Sequence, residues 1–215
     1  MANNDCLPQV QACAMRVAVL ESNGVPSPGA NNLYVTDSFT QVQVTPVYED
    51  GEEITQKNAC GTVDVNYKGD DSFKRADIEI TIVQQDPYLT AMLGDGSVLT
   101  SSGLHGYAFP AIGALTSPGV SVELWAKRID NGDLHAEYPY AWWVFPKVKN
   151  LRLGQRTFSN GAQLPVFSGQ ALENDNWSDG PTNDWPVASN RVAQWFPTAT
   201  LPDTTVCGPQ TLAVS

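Results

Sequence analysis

Short runs in which apolar and polar residues alternate dominate the chain, and this pattern predicts β-strands. The clearest run covers residues 72–83. Four aliphatic side chains alternate there with four polar ones, namely Ala76, Ile78, Ile80 and Ile82 with Arg75, Asp77, Glu79 and Thr81. Because successive side chains of a strand point to opposite faces, this strand has one aliphatic face and one polar face.

The residues just before this run predict its hairpin partner. Val63, Val65 and Tyr67 alternate with polar residues, and residues 68–71 have the composition of a turn. Such a hairpin would place Val63 and Val65 in the core. Its polar face would consist of Thr62, Asp64, Asn66, Lys68, Asp77, Glu79 and Thr81.

The remaining pattern predicts a mainly β fold with one short helix. Asp86 and Pro87 are the N-cap and first residue of a helix that ends at Gly94. A glycine- and serine-rich loop over 94–106 follows, and strands are expected at 120–129, 134–145, 148–153 and 157–172. These elements favour a two-sheet β-sandwich or barrel flanked by the helix.

Two segments stand apart from the predicted strands. Residues 47–61 are expected to form a long charged inter-strand loop, and loops of that length in compact domains are usually functional. Residues 174–215 contain five prolines and are expected to form an extended C-terminal arm. That arm would be anchored on its own domain or on a neighbouring subunit by Trp177, Trp185 and Trp195.

Length and charge limit the classes of protein. The 215 residues predict one domain, 1–215, with a β core at about 13–172. Twenty-three acids against twelve bases give a net charge of -11, which disfavours a sequence-specific DNA-binding protein. The chain has no apolar run long enough to span a bilayer, and its first residues do not resemble a signal peptide. The four cysteines, Cys6, Cys13, Cys60 and Cys207, are expected to be reduced and mostly buried.

Catalytic and metal-binding motifs are not recognisable in the sequence. His105 and His135 do not lie near a nucleophile pattern, and Asp77 and Glu79 are better explained as a charged sheet face than as a glycosidase pair. The residues at 130–133 lack the closing Glu of a calcium loop. We therefore expect no enzyme activity and no cofactor.

Charged clusters suggest contacts between copies of the chain. The acids Glu49, Asp50, Glu52 and Glu53, with Lys57, lie in the long loop. A basic cluster consists of Lys147, Lys149, Arg152 and Arg156. This cluster is either a solvated surface or the partner of the acidic loop on another copy.

The order of several short motifs resembles that of the major tail proteins, or tail tube proteins, of long-tailed actinobacteriophages. The motifs are Gly51-Glu52-Glu53-Ile54, Lys57-Asn58-Ala59-Cys60-Gly61, Asp71-Ser72 with Lys74-Arg75, Asp86-Pro87, Trp143-Val144-Phe145-Pro146-Lys147-Val148, Asn160-Gly161 before Leu164-Pro165-Val166, Asn176-Trp177, Asp179-Gly180-Pro181, Asp184-Trp185-Pro186 and Cys207-Gly208. The resemblance covers most of the chain from about residue 51 onward.

This resemblance implies a structural protein of the virion tail, assembled in the host cytoplasm, without an active site. Six copies would form a ring whose inner sheets join into a barrel, and rings would stack into a negatively lined tube through which double-stranded DNA passes. The loop at 47–61 would reach the adjacent ring. Implied partners are further copies of the chain, the tape measure protein, the tail terminator and the distal tail or baseplate proteins, with no membrane.

Two other functions remain open at this stage. A capsid decoration protein or tail terminator is also a virion β-protein, but it does not polymerise into a tube. A carbohydrate-binding module would use the aromatic residues at 138–143 as a sugar platform, although packing in the core or at a subunit interface explains them as well.

Overall fold

A computed structural model describes residues 7–113, 117–161, 163–177, 190–202 and 207–212. In chain order its elements are β1 (Gln9–Val19), β2 (Gly29–Thr36), β3 (Phe39–Glu49), β4 (Glu53–Lys57), β5 (Val63–Lys68), β6 (Ser72–Ile82), α1 (Pro87–Gly94), β7 (Ser97–Ser101), β8 (Leu104–Ala108), β9 (Val120–Asp130), β10 (Asp133–Leu134), β11 (Tyr140–Leu153), β12 (Val166–Ala171), β13 (Gln194–Thr198) and β14 (Gly208–Leu212). The predicted mainly β fold with one short helix is confirmed for these residues.

Ten strands form one large antiparallel sheet. Eight of them follow the order β14-β2-β1-β9-β11-β12-β6-β3, while β10 pairs with β9 and β13 pairs with β11. β4 with β5, and β7 with β8, form two separate two-stranded sheets. The described residues therefore do not divide the main β structure into two sheets, and the sandwich remains a prediction.

The large sheet curves around a common hydrophobic core. Tyr34 of β2 and Ile80 of β6, from opposite ends of the strand order, belong to the same buried cluster as Val122, Phe145 and Phe167. The aliphatic face predicted for β6 is confirmed, because Ala76, Ile78, Ile80 and Ile82 are all at most 4% exposed.

Helix α1 begins and ends where the sequence predicts. The Asp86 carboxylate accepts hydrogen bonds from the backbone N–H of Tyr88 at 2.8 Å and of Leu89 at 3.2 Å. These bonds satisfy donors that have no partner inside the first helical turn. Leu89 and Leu93 are buried in the common core, so the helix covers one side of it.

A second apolar cluster, which contains Trp125, Trp142 and Trp177, encloses a buried ion pair. Arg16 on β1 donates from Nε to Glu123 Oε1 at 2.9 Å and from Nη2 to Oε2 at 2.6 Å. Trp142 Nε1 donates to the same Oε2 at 2.9 Å. The Arg16 guanidinium also lies 5.3 Å from the centroid of the Trp125 ring, so cation–π attraction adds to the pair.

The predicted hairpin of residues 63–67 with the strand at 72–83 is wrong. β5 pairs with β4, with Ile54 opposite Tyr67, and β6 lies between β3 and β12. The chain reverses at residues 58–62, because the Asn58 side-chain oxygen accepts from the backbone N–H of both Cys60 and Thr62. Val63 and Val65 are consequently each 46% exposed rather than buried.

Several other predictions need correction. The loop expected at 94–106 is instead the hairpin of β7 and β8, whose turn holds Ser102 and Gly103 at positive φ. The C-terminal arm contains β13 and β14, which extend the large sheet by pairing with β11 and β2. The strand expected over 157–172 begins only at Val166. The strands expected at 134–145 and 148–153 are largely one strand, β11, which begins at Tyr140 and has a register shift between Phe145 and Val148.

Candidate functional site: a hairpin arm, an apolar groove and a polar sheet face

Residues 50–71 form a two-stranded projection that we call the arm. The charged loop expected at 47–61 is thus the end of β3 followed by an ordered β-hairpin of β4 and β5. All eleven residues of these two strands are exposed. An isolated two-stranded hairpin is only marginally stable in water, so this arm has the character of an element that a partner covers.

At the base of the arm the backbone around Gly51 lies close to the backbone around Gly69. A Cβ on Gly51 would collide with the carbonyl oxygen of Gly69, so glycine is required at Gly51. The Gly51 N–H donates to Asp71 Oδ1 at 3.0 Å, and Lys68 Nζ lies 3.4 Å from the same carboxylate oxygen. The hydrogen bond from Gly51 and then the charge of Lys68 lower the pKa of Asp71 below its ordinary value.

The two faces of the arm differ in polarity. Ile54 lies opposite Tyr67, and Gln56 lies opposite Val65. Val63 is two residues from Val65 on β5 and shares its face, so we call Ile54, Val63, Val65 and Tyr67 the apolar arm face. The opposite face carries Glu53, Thr55, Asp64, Asn66 and Lys68.

The acidic residues predicted to contact an adjacent ring are exposed, but two already have partners in their own chain. Glu49 ends β3, and its carboxylate lies 3.3 Å from Lys74 Nζ. Asp50 is 4.0 Å from Lys68 Nζ. Glu52 and Glu53 flank the base of the arm, and Lys57 ends β4. Because exposed ion pairs contribute little, these charges alone give a weak basis for docking between copies.

The residues predicted to face a lumen fall into two groups. Asp77, Glu79 and Thr81 share the outer face of β6, opposite the buried isoleucines. Asp64, Asn66 and Lys68 share one face of β5 in the arm, and Thr62 lies in the turn before it. The structure therefore brings together only the first three in the large sheet.

A shallow polar depression of about 410 Å³ covers this outer face of the large sheet. It is lined by Gln43, Thr45, Asp77, Ile78, Glu79, Asn150, Arg152, Ser168, Gly169 and Gln170. Cross-strand rows produce it, since Gln43, Glu79 and Ser168 lie side by side on β3, β6 and β12. Arg75 Nε donates to Asp77 Oδ1 at 2.9 Å, so the face is mixed in charge rather than uniformly acidic.

The predicted basic cluster does not form one patch. Arg152 and Lys149 lie opposite Ser168 and Gln170 on β12, beside the polar depression. Lys147, which lies on β11 with Lys149 and Arg152, is half-buried. Arg156 lies elsewhere, since it donates to Gln85 at 2.7 Å and stacks over the Phe158 ring at 5.5 Å. The short sequence spacing predicted that the four basic side chains lie together. The bulge in β11 and the course of the chain after β11 place them apart.

An apolar groove of about 560 Å³ opens beside the edge strand β3. Val42, Val44 and Pro46 of β3 form one wall, and Trp143 on β11 lies across from them. Phe73, at the base of the arm, also lines it and makes an edge-to-face contact with Tyr48 at 5.6 Å. Arg191 adds a positive charge to the lining. The sequence analysis did not identify this groove, because its residues come from strands far apart in the chain.

The tryptophans predicted to anchor the C-terminal segment 174–215 have different surroundings. Trp177 is 1% exposed and packs with Trp125 and Trp142 of its own chain, and its role as an anchor stays a prediction. Trp195 on β13 stacks on Trp143 with ring centroids 6.2 Å apart and remains 37% exposed. Trp185 lies outside the described residues.

The other polar clusters carry no recognisable chemistry. Within the described part of the chain, no group of three or more His, Cys, Asp or Glu side chains is placed to hold a metal. Cys60 and Cys207 are exposed, contrary to the expectation of mostly buried thiols, and burial raises the pKa of Cys13. His135 is buried and accepts the Tyr138 N–H at 3.0 Å, so it is not a surface histidine.

The arm was expected as a charged loop, and its two paired strands were not predicted. Apolar residues recur at Ile54, Val63, Val65 and Tyr67 on either side of the turn signal at 58–62. That alternation around Asn58 and Gly61 is a hairpin signal, and it could have identified β4 and β5.

None of the helices in the described ranges is long and apolar enough to cross a membrane. No protein-family model and no curated protein matches the chain.

Proposed function

We propose that the chain is a structural protein of a phage virion whose copies form rings that stack into a tail tube, a conduit for DNA. The observation that carries this proposal is the exposed arm. A monomer leaves both strands of this hairpin in water, whereas a stacked assembly of identical copies covers every arm except those at its end. The resemblance to tail tube proteins supports the same assignment, with hexameric rings and a virion-tail location.

The edges of the large sheet fit an assembly of this kind. β3 and β14 end the strand order, so each presents backbone groups that a neighbouring strand can pair with. In the proposed ring, two-sheet sandwiches lie side by side and their inner sheets join through such edges. The polar outer face of β3, β6 and β12 then lines the lumen. Hydrated DNA can pass beside polar side chains, whereas an apolar lining would exclude it.

Repulsion between the lining and DNA has more than one source in this proposal. A wall that binds phosphates releases counterions and retains the DNA, whereas an acidic wall leaves it mobile. Since Arg152 and Lys149 lie beside Asp77 and Glu79, the negative potential rests mainly on the net charge of -11 per copy, to which the acids of the arm contribute. The tape measure, terminator and distal tail proteins are the proposed partners at the centre and ends of the tube.

Electron microscopy of the purified protein in negative stain tests the proposal directly. Uniform hollow tubes or stacked rings are expected, and monodisperse monomers at every concentration would refute the assignment. A capsid decoration protein or terminator would give single rings or spikes, and a carbohydrate-binding module would give monomers that bind on a glycan array.

A variant without the arm tests the carrying observation. Residues 50–71 are replaced by Asn-Gly, a two-residue turn that joins the paired residues Glu49 and Ser72. This variant should fold and form rings but no long tubes. The matched control is Glu52→Gln with Glu53→Gln, which keeps the hairpin and removes two charges. Normal tubes from the arm-deleted variant would contradict the proposal.

A further inference from the structure

The arm displays an apolar surface that the described part of its own chain does not cover. Ile54, Val63, Val65 and Tyr67 are 47%, 46%, 46% and 59% exposed. They lie on one face of a hairpin whose other face is polar. A clustered apolar face on an otherwise hydrophilic projection is typical of a surface that another molecule covers.

The same chain carries a surface of matching character. Of the residues that the structure describes, ten apolar and two polar ones, Asn190 and Arg191, line the groove beside β3. Val44 in its wall is 38% exposed and Phe73 is 49% exposed. The groove is wide enough for large side chains, since its volume is about 560 Å³.

Charge favours the same pairing of surfaces. Residues 50–71 of the arm include six acids and two bases, so the arm is strongly negative. Among the described residues that line the groove, the charged one is the cation Arg191. An acidic hairpin with an apolar face is therefore complementary to an apolar groove with a positive charge in its lining.

We propose that the apolar arm face of one copy docks into the groove beside β3 of a second copy. This inference rests on the proposed function and gives the contact between copies a location and a chemistry. The contact is driven by apolar burial, with Val65 and Tyr67 as its centre, and the acids of the arm are secondary. It replaces the purely electrostatic docking expected from the charged clusters.

The geometry of such a contact makes it propagate. The arm and the groove are different surfaces of one molecule, so each copy donates an arm and accepts one. A contact of this heterologous kind continues from copy to copy until it closes into a ring or extends as a filament. Phe73 lines the groove at the base of the arm, so the two surfaces adjoin on each copy and successive contacts lie close together.

Charged substitutions on the two faces of the arm separate the apolar from the polar contribution. Val65→Glu places a charge on the apolar arm face, and Thr55→Glu is the matched control on the opposite face of the same hairpin. We expect Val65→Glu to raise the concentration needed for assembly by about tenfold or more, since burying an unpaired charge is costly. Thr55→Glu should change it by less than about threefold. Equal effects of both variants, or normal assembly of Val65→Glu, would overturn the proposal.

Crosslinking between two variants gives an independent measurement. All four native cysteines are changed to Ser, and Val65→Cys in one preparation is mixed with Val44→Cys in another before a short bismaleimide is added. A heterodimer should form with this pair and be at least about fivefold less abundant when Thr55→Cys replaces Val65→Cys. Predominant Val65–Val65 crosslinks, or equal yields with the Thr55 control, would overturn the docking site.

The two readouts distinguish failure of the inference from failure of the proposed function. Wild-type tubes without the Val65–Val44 crosslink would refute the docking site and leave the tube assignment standing. The crosslink without any tubes in the microscope would support the docking site and refute the tube assignment.

Discussion

The buried ion pair between Arg16 and Glu123 offers the sharpest test of the structure. Glu123 is fully buried and accepts three hydrogen bonds, two from Arg16 and one from Trp142. The substitution Glu123→Gln keeps the size of the side chain and removes its charge. The Arg16 guanidinium, with 7% of its side chain exposed, then stays buried and loses the charge of the carboxylate that accepts two of its hydrogen bonds.

The expected loss follows from this geometry. Removing one partner of a buried pair costs about 3–5 kcal/mol, because the charge that stays buried loses the attraction of the removed carboxylate. For a chain of this length that loss lowers the melting temperature by about 10 °C. Replacing both residues, as in Arg16→Met with Glu123→Met, should restore part of the loss, since neither charge is then buried.

Urea unfolding, followed by tryptophan fluorescence at a concentration below that of assembly, measures the change. The control is Glu21→Gln, an exposed carboxylate for which a change within about 0.5 kcal/mol is expected. The reasoning fails if Glu123→Gln unfolds within about 0.5 kcal/mol of the wild type. It also fails if the double variant is less stable than Glu123→Gln.

Four further outcomes follow from the structure. In the proposed tube, Asp77→Lys with Glu79→Lys should slow or block DNA ejection while tubes still form, and unchanged ejection would exclude this face from the proposed lumen. Asp86→Ala should cost about 1 kcal/mol in thermal unfolding because the first turn of α1 loses its cap; no loss would argue against the capping bonds. Burial, and after it Asp86, raises the pKa of Tyr34. The contribution of Tyr34 to the free energy of unfolding should therefore be fully present below about pH 10 and decrease as the pH rises further. In Tyr34→Phe the free energy of unfolding should decrease less at alkaline pH. The lowered pKa of Asp71 stabilises the base of the arm above about pH 4, and this should be lost on acidification; amide exchange at the base should accelerate in acid for the wild type and be insensitive to pH in Asp71→Asn after correction for intrinsic rates.

Local patterns predicted those elements whose signals are contained in neighbouring residues. The burial of the aliphatic face of β6 follows from strict alternation over residues 76–82, and helix α1 follows from Asp86, Pro87 and Gly94. The turn at Asn131 and Gly132, where both residues have positive φ, was also readable from the sequence.

Strand pairing could not be read in the same way. Val63 and Val65 alternate as core residues do, yet they lie on an arm because β5 pairs with β4. Alternation reports which residues share a face and does not report which strand lies beside them. The Arg16–Glu123 pair spans 107 residues of sequence. The groove combines residues of β3, β6, β9 and β11 with residues 190–193, so no local pattern identifies either feature.

The exposed position of Lys57 has a practical consequence. It lies at the end of β4 beside the turn at 58–62, where no buried side chain fixes the chain. Proteases cut preferentially at exposed loop tips, so trypsin should cleave a free copy here before it reaches the core. In the proposed assembly a copy whose arm is covered resists the cut, so the fraction of intact chain would measure how many copies have joined at a given moment.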